Sequence, residues 1–312
     1  MSNAAGMSRP TSSITAGRAA ILLAVAILFF GLNWPTLKIA IHAVSPIWFN
    51  VFRMICASAV YTGVLAARGR LIWPSRQDMP MVLGLGILQF GVMSSMVAYG
   101  VATVGAGRSA ILVYTNSIWV TTGAVIFLGE RISRWQVVGM ATGLAGLAIL
   151  FSPFDLDWSS RRILIGNGSV VLGSIVWSIA LVQVRGHRWS ADPLELLPLQ
   201  TALGALVTIP FAILLETPVP HIEWAWSSAI AFVIVVVLAT CLGFWALVVA
   251  GRHLPAIAVS LAQLATPVIG VASASIVVAE VPSRADIAGL ALIILGVAMA
   301  AIFGRRRRVT VA

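Results

Sequence analysis

Asn33-Trp34-Pro35-Thr36 stands inside a long apolar run. Proline has no N–H, so Pro35 deprives the Gly31 carbonyl of its helical partner. A kink with free backbone acceptors follows, flanked by an amide, an indole and a hydroxyl. Such a break can serve as a hinge and hold the polar ends of a small molecule. The alternative is a tolerated kink whose freed groups are satisfied by Asn33 or Thr36. A second break is Gln263-Leu264-Ala265-Thr266-Pro267. Here Pro267 frees the carbonyl of Gln263 itself. The Gln263 amide offers a donor and an acceptor to a zwitterion, or to a neighbouring helix.

Further polar and aromatic side chains lie within apolar runs. Ser95 and Tyr99 are four residues apart and share a helical face. Tyr114, Asn116 and Trp119 do not fall on one stripe, so at most two face a cavity. Trp177 and Gln183 stand in a later run, and Trp245 in another. Tryptophan and tyrosine could stack an aromatic or apolar substrate. Trp73, Trp135, Trp158, Trp189, Trp224 and Trp226 sit at run ends and read as an interface belt. Arg53 lies seven residues past Pro46, about 10 Å along a helix. It could hold a carboxylate, but snorkelling outward or bonding helix-end carbonyls is the favoured reading. Lys38 shares this ambiguity.

What is absent narrows the chemistry. All ten acidic residues and all four histidines lie at or near the ends of apolar runs. No mid-membrane carboxylate is available to carry a proton, which points to a carrier driven by its substrate's gradient. No His-Glu-x-x-His, Gly-x-Ser-x-Gly or intramembrane aspartate pair supports catalysis. Gly139-x3-Gly143 reads as close helix packing. Cys56 and Cys241 read as small buried hydrophobes, with no metal-ligand spacing and no cofactor motif. The formal charge of +10 lies between apolar runs, without the interleaved aromatics of a nucleic-acid surface.

These side chains must be positioned by helices in lipid. The chain is 60% hydrophobic and 10% charged, with a mean hydropathy of +1.00, whereas a soluble domain carries roughly 25% charged residues. Runs near the length of about 20 residues that spans a bilayer occur at 19–41, 46–67, 80–101, 107–128, 134–151, 165–185, 193–215, 225–250, 255–279 and 285–303. Glu130, Ser133, Arg134, Gly139 and Gly146 recur at an offset of 150 as Glu280, Ser283, Arg284, Gly289 and Gly296. At an offset of 147, Lys38 meets Arg185 and Pro46 meets Pro193. Two copies with an odd number of spans must be inverted relative to each other, the architecture of alternating-access carriers. With the N-terminus inside, 14 of the 20 basic residues fall on the cytoplasmic side.

The expected fold is therefore an all-α membrane protein of ten transmembrane helices in two inverted five-helix repeats, 19–151 and 165–303, with both termini cytoplasmic. Residues 1–18 read as a mobile tail without a signal-peptide pattern. Residues 304–312 read as a basic tail, with Arg305–Arg308 set against anionic lipid.

FFGLNWPTLKIA, SPIWFNVFR with Pro46 and Arg53, GERISRWQVVGMATGLAG and its counterpart AEVPSRADIAGLALIILG together resemble the EamA family of the drug/metabolite transporter superfamily. The resemblance covers nearly the whole chain, and is greatest to YddG-type amino-acid exporters of bacterial inner membranes. It implies that the first, third, fourth, sixth, eighth and ninth spans enclose a cavity, with the fifth and tenth outside. Glu280, unlike Glu130, is not followed by arginine, so an end-of-repeat ion pair is expected only on the Glu130 side. The reading is an inner-membrane exporter of amino acids, aromatic or apolar with broad specificity. Asn33, Trp34, Ser95, Tyr99, Trp119, Trp177 and Gln263 bind substrate, and Pro35 and Pro267 act as hinges. The partners are an amino-acid-like small molecule and membrane lipid; the sequence leaves the oligomeric state open, a monomer being plausible. The rival of the same fold carries amphipathic drugs or other metabolites; a membrane-embedded enzyme and a channel rank lower.

Overall fold

The computed structural model describes residues 15–128, 133–150, 160–187, 189–216, 222–223, 225–254, 262–263 and 265–303. Glu130 and the Arg305–Arg308 run lie outside them. The described residues are helical apart from short connections. α1 (Ala16–Ala40) begins three residues inside the expected tail, because Thr15 caps it by accepting the Arg18 N–H. α2 is Pro46–Ala67, with Pro46 in the first turn, where a missing N–H costs nothing. α3 runs over Met79–Val104. Gly105, at φ +91°, turns the chain into α4.

α4 was expected as one rod over 107–128. It is instead two pieces, Ala106–Val113 and Asn116–Leu128, broken at Tyr114-Thr115. The Thr115 hydroxyl donates to the Leu112 carbonyl at 2.7 Å and lies 3.0 Å from Ser174 Oγ. Backbone groups left over at the break are thus met locally and the bend is tied to a neighbouring helix. α5 is Arg134–Leu150, α6 Arg161–Gly186 and α7 Pro193–Leu215, the last opened by an Asp192/Glu195 capping box. α8 runs from Trp226 to His253, α9 is Ala265–Val277 and α10 is Arg284–Phe303. Among the described residues, six helices (α1, α2, α3, α6, α7 and α8) are long and apolar enough to cross a membrane, and shorter apolar stretches lie in α5 and α9.

The packing is reciprocal. α1 packs on α8 and α9, while α6 packs on α3 and α4; α2 pairs with α7, and α5 with α10. The α5–α10 contact is built from glycines. A Cβ on Gly146 would stand 2.9 Å from the Gly289 carbonyl, and one on Gly296 would meet Gly139 and stand 2.7 Å from the Gly143 nitrogen. Gly146 and Gly296 are offset by 150, as are Gly139 and Gly289, so each copy makes the other's contact. Backbones approach this closely only where side chains are missing.

α3 and α8 share a further irregularity. Each contains nine π-helical residues, Leu85–Met93 and Val235–Gly243, again offset by 150. π-helix is rare and often marks functional sites. Side chains of α2 serve both segments. The buried Asn50 donates through Nδ2 to the carbonyls of Phe90 (3.1 Å) and Gly91 (3.4 Å) and to Ser95 Oγ (2.9 Å). Tyr61 O–H donates to the carbonyls of Thr240 (2.8 Å) and Cys241 (3.2 Å). Phe90 and Gly91 correspond to Thr240 and Cys241 at the same offset.

Candidate functional site

The first proline break behaves as a braced bend. α1 stays helical through Pro35. The freed Gly31 carbonyl accepts the Ser273 hydroxyl of α9 at 3.3 Å, and Thr36 Oγ1 donates to Leu32 O at 2.7 Å. Gly31 lies against Ile269, and a Cβ on Gly270 would stand 2.8 Å from Trp34 Cδ1. The crossing of α1 and α9 therefore seats the Trp34 indole between the two helices.

Trp34 is 5% exposed and belongs to the main apolar cluster, against which Tyr114 and Trp177 also pack. Trp177 follows Ser174 by three residues, so both lie on the α6 face that holds the α4 break. Trp119 is half-buried on the second piece of α4. The indole nitrogens of Trp34, Trp119 and Trp177 are all buried without a hydrogen-bond partner among the described residues, as is Asn33 Oδ1. Buried indole N–H groups normally find an acceptor. Three indole donors, one each on α1, α4 and α6, are thus without an acceptor among the described residues.

The other expected site residues sit differently. Ser95 donates to Gly91 O at 2.8 Å and accepts from Asn50, so its hydroxyl is engaged in the α3 π-segment. Tyr99 is half-buried one turn further on, and its carbonyl accepts the Thr103 hydroxyl. Gln263 is half-buried just ahead of α9, and Pro267 is buried inside it. Arg53 neither snorkels nor meets a helix end. Its Nε donates to Thr240 Oγ1 at 2.9 Å, in the π-segment of α8. Asn50, which organises the opposite π-segment, was not singled out from sequence, although an amide inside an apolar run is itself a signal.

Charged groups staple the helix ends. Glu280 accepts Lys38 Nζ at 2.5 Å and the N–H groups of Ala106 (2.9 Å) and Gly107 (2.8 Å). The expectation of an ion pair only on the Glu130 side is corrected: Glu280 takes its cation from α1 rather than from the next residue. Burial alone would raise the Glu280 carboxyl; Lys38 and the two N–H groups outweigh it and hold the group below the usual carboxylate value. Glu216 caps α2 through Ile47 N–H (2.8 Å), Trp48 N–H (3.1 Å) and the Ser45 hydroxyl (2.6 Å). The buried Asp78 accepts from Ser190 and Ala191 and meets His187 Nε2 at 3.0 Å. Arg70 joins Glu195 at 2.8 Å and Asp192 at 3.3 Å. No group of three or more metal-ligating residues occurs among the described residues.

The EamA-like transporter family model matches the chain twice, over residues 17–152 and 164–302. The chain belongs to the EamA-like transporter family. Membership makes it a multi-pass membrane transporter and not an enzyme. It is similar to the uncharacterized transporter YoaV of Bacillus subtilis, 24% identical over 90% of this chain and 96% of that one. It is also similar to a probable amino-acid metabolite efflux pump of Salmonella typhimurium, 22% identical over 93% and 96%. A solved crystal structure shares the fold, with a TM-score of 0.64, 21% identity and coverage of 93% of this chain and 98% of the other.

Proposed function

We propose that this EamA-family member exports amino acids across a bacterial inner membrane by alternating access, along the lines of the YddG-type exporters. Its ten spans form two inverted five-helix repeats with both termini cytoplasmic. The two family matches, the reciprocal glycine contacts and the paired π-segments support the repeat.

The observation that carries the substrate class is the set of unpartnered indole N–H groups of Trp34, Trp119 and Trp177. A carboxylate supplies the acceptors they lack, and their rings suit an apolar or aromatic side chain. Asn33, Ser95, Tyr99 and Gln263 complete the site, and Pro35 and Pro267 set its hinges. The similarity to a probable amino-acid metabolite efflux pump supports the same class. The acids Asp78, Glu216 and Glu280, each with partners, lie at helix ends, which supports transport driven by the substrate gradient.

Counterflow in proteoliposomes with a panel of labelled amino acids tests the reading. Saturable exchange of apolar and aromatic amino acids, insensitive to collapse of a pH gradient, is expected. Exchange of amphipathic drugs with no amino-acid exchange would replace it with the drug-carrier reading.

A further inference from the structure

At the end of the α4–α9 seam lies a cavity of about 360 Å³, within the usual size range of small-molecule sites. α1, α3, α4, α9 and the start of α10 wall it, and its lining carries both signs of charge: Lys38 and Arg108 against Glu280 and Asp286. The two acids differ in how far they are used. Glu280 is engaged on both oxygens by Lys38, Ala106 and Gly107. Asp286 is engaged on one. Its Oδ2 accepts the Ser283 N–H at 3.0 Å, and its own N–H donates to Ser283 Oγ at 3.1 Å. Its Oδ1 is buried and has no hydrogen-bond partner among the described residues.

A carboxylate oxygen removed from water without a donor is unfavourable. Asp286, on the cavity lining, is therefore short of one donor, while Arg108, which already has a partner of its own, brings a five-donor guanidinium whose geometry matches a carboxylate. Ile111 and Val271 give the same cavity an apolar wall. We propose that this cavity is a zwitterion subsite: the ammonium of an amino acid donates to Asp286 Oδ1, and its carboxylate is held by Arg108. The assignment rests on the amino-acid reading above and adds to it a second stop, separate from the tryptophan region, at the end of the bundle closed by Lys38 and Glu280.

The test uses the full chain, purified and reconstituted, with labelled L-phenylalanine as probe. Phenylpropionate, which lacks the ammonium, and phenethylamine, which lacks the carboxylate, serve as competitors. Asp286→Asn keeps an acceptor for the Ser283 N–H, so the start of α10 is preserved. Binding in D286N is expected to weaken about 10-fold, the effect of losing one hydrogen bond to a charged group. Phenylpropionate should then compete nearly as well as phenylalanine. In Arg108→Gln the pattern should reverse, with phenethylamine gaining relative to phenylalanine. Phenylalanine binding that is absent from the unaltered protein, or unchanged in both variants, overturns the subsite. The transport reading fails separately: binding with these variant effects but no counterflow removes transport and leaves the subsite standing.

Discussion

Lys38 and Glu280 are 242 positions apart in sequence, and the ammonium of one is 2.5 Å from the carboxylate of the other. The same carboxylate takes the first N–H groups of α4. One side chain thus ties the end of α1, the start of α4 and the link between α9 and α10. Gly105, whose φ is +91° and whose missing Cβ leaves room for the carboxylate, makes the contact possible.

Glu280→Gln is expected to lower stability by about 1–2 kcal/mol, since the charge on the pair and on the N-terminal N–H groups is lost. The folded Glu280 value is depressed, so its contribution is fully present above the unfolded value of about 4.3. It is lost as pH falls through the folded value. Melting curves in detergent from pH 7 to pH 3 check this. The unaltered protein should lose more stability over that window than E280Q, and parallel curves would refute the assignment.

Asn50→Leu removes the donor that serves two carbonyls and a hydroxyl of the α3 π-segment. A loss of about 1–3 kcal/mol is expected, because the Phe90 carbonyl loses its side-chain donor while Ser95 and Gly91 keep only their bond to each other.

Tyr61→Phe, on the same helix, removes one hydroxyl with little change of shape and should cost about 1 kcal/mol. Chemical denaturation of both variants in detergent gives the order. A Tyr61 effect exceeding that of Asn50 would contradict the hydrogen-bond assignment.

Gly146→Leu and Gly296→Leu should each destabilise by about 1–3 kcal/mol through overpacking of the α5–α10 contact. The two glycines make equivalent contacts, so the effects should be similar in size. Thermal melting of the single variants reads this, and tolerance of either one would show that the contact is looser than its geometry.

Trp34→Phe keeps an aromatic ring between α1 and α9 but deletes the indole N–H. The proposed function predicts a rise in KM for amino-acid counterflow of about 10-fold, beyond the modest fall in melting temperature that the smaller ring causes in this packed crossing. A variant with unaltered KM would remove Trp34 from the substrate site.

The helices were legible because lipid imposes a length and a composition, and apolar runs of 18–26 residues have few other uses. The helix boundaries at Pro46, Gly105 and the Asp192/Glu195 pair follow familiar local rules. The break at Tyr114-Thr115 was not legible. No proline or glycine marks it, and its stability comes from Ser174 on a distant segment. The Lys38–Glu280 pair is hidden for the same reason: the cation comes from α1, 242 positions away, and not from the sequence neighbours of Glu280. Trp34 and Trp177 are legible as polar-tipped aromatics within apolar runs, whereas the lack of an acceptor at their indole nitrogens is not. The engagement of Ser95 by Asn50 depends on a π-segment that hydrophobic pattern does not encode.

Each residue inserted into an α-helix advances the chain by about 100° of azimuth without a matching turn of the α-helical ladder. The π-segments of α3 and α8 therefore put the two halves of each rod out of phase. Each of these helices presents one bearing to its neighbours before the segment and a rotated bearing after it. The two ends of the bundle consequently meet different faces of the same two rods.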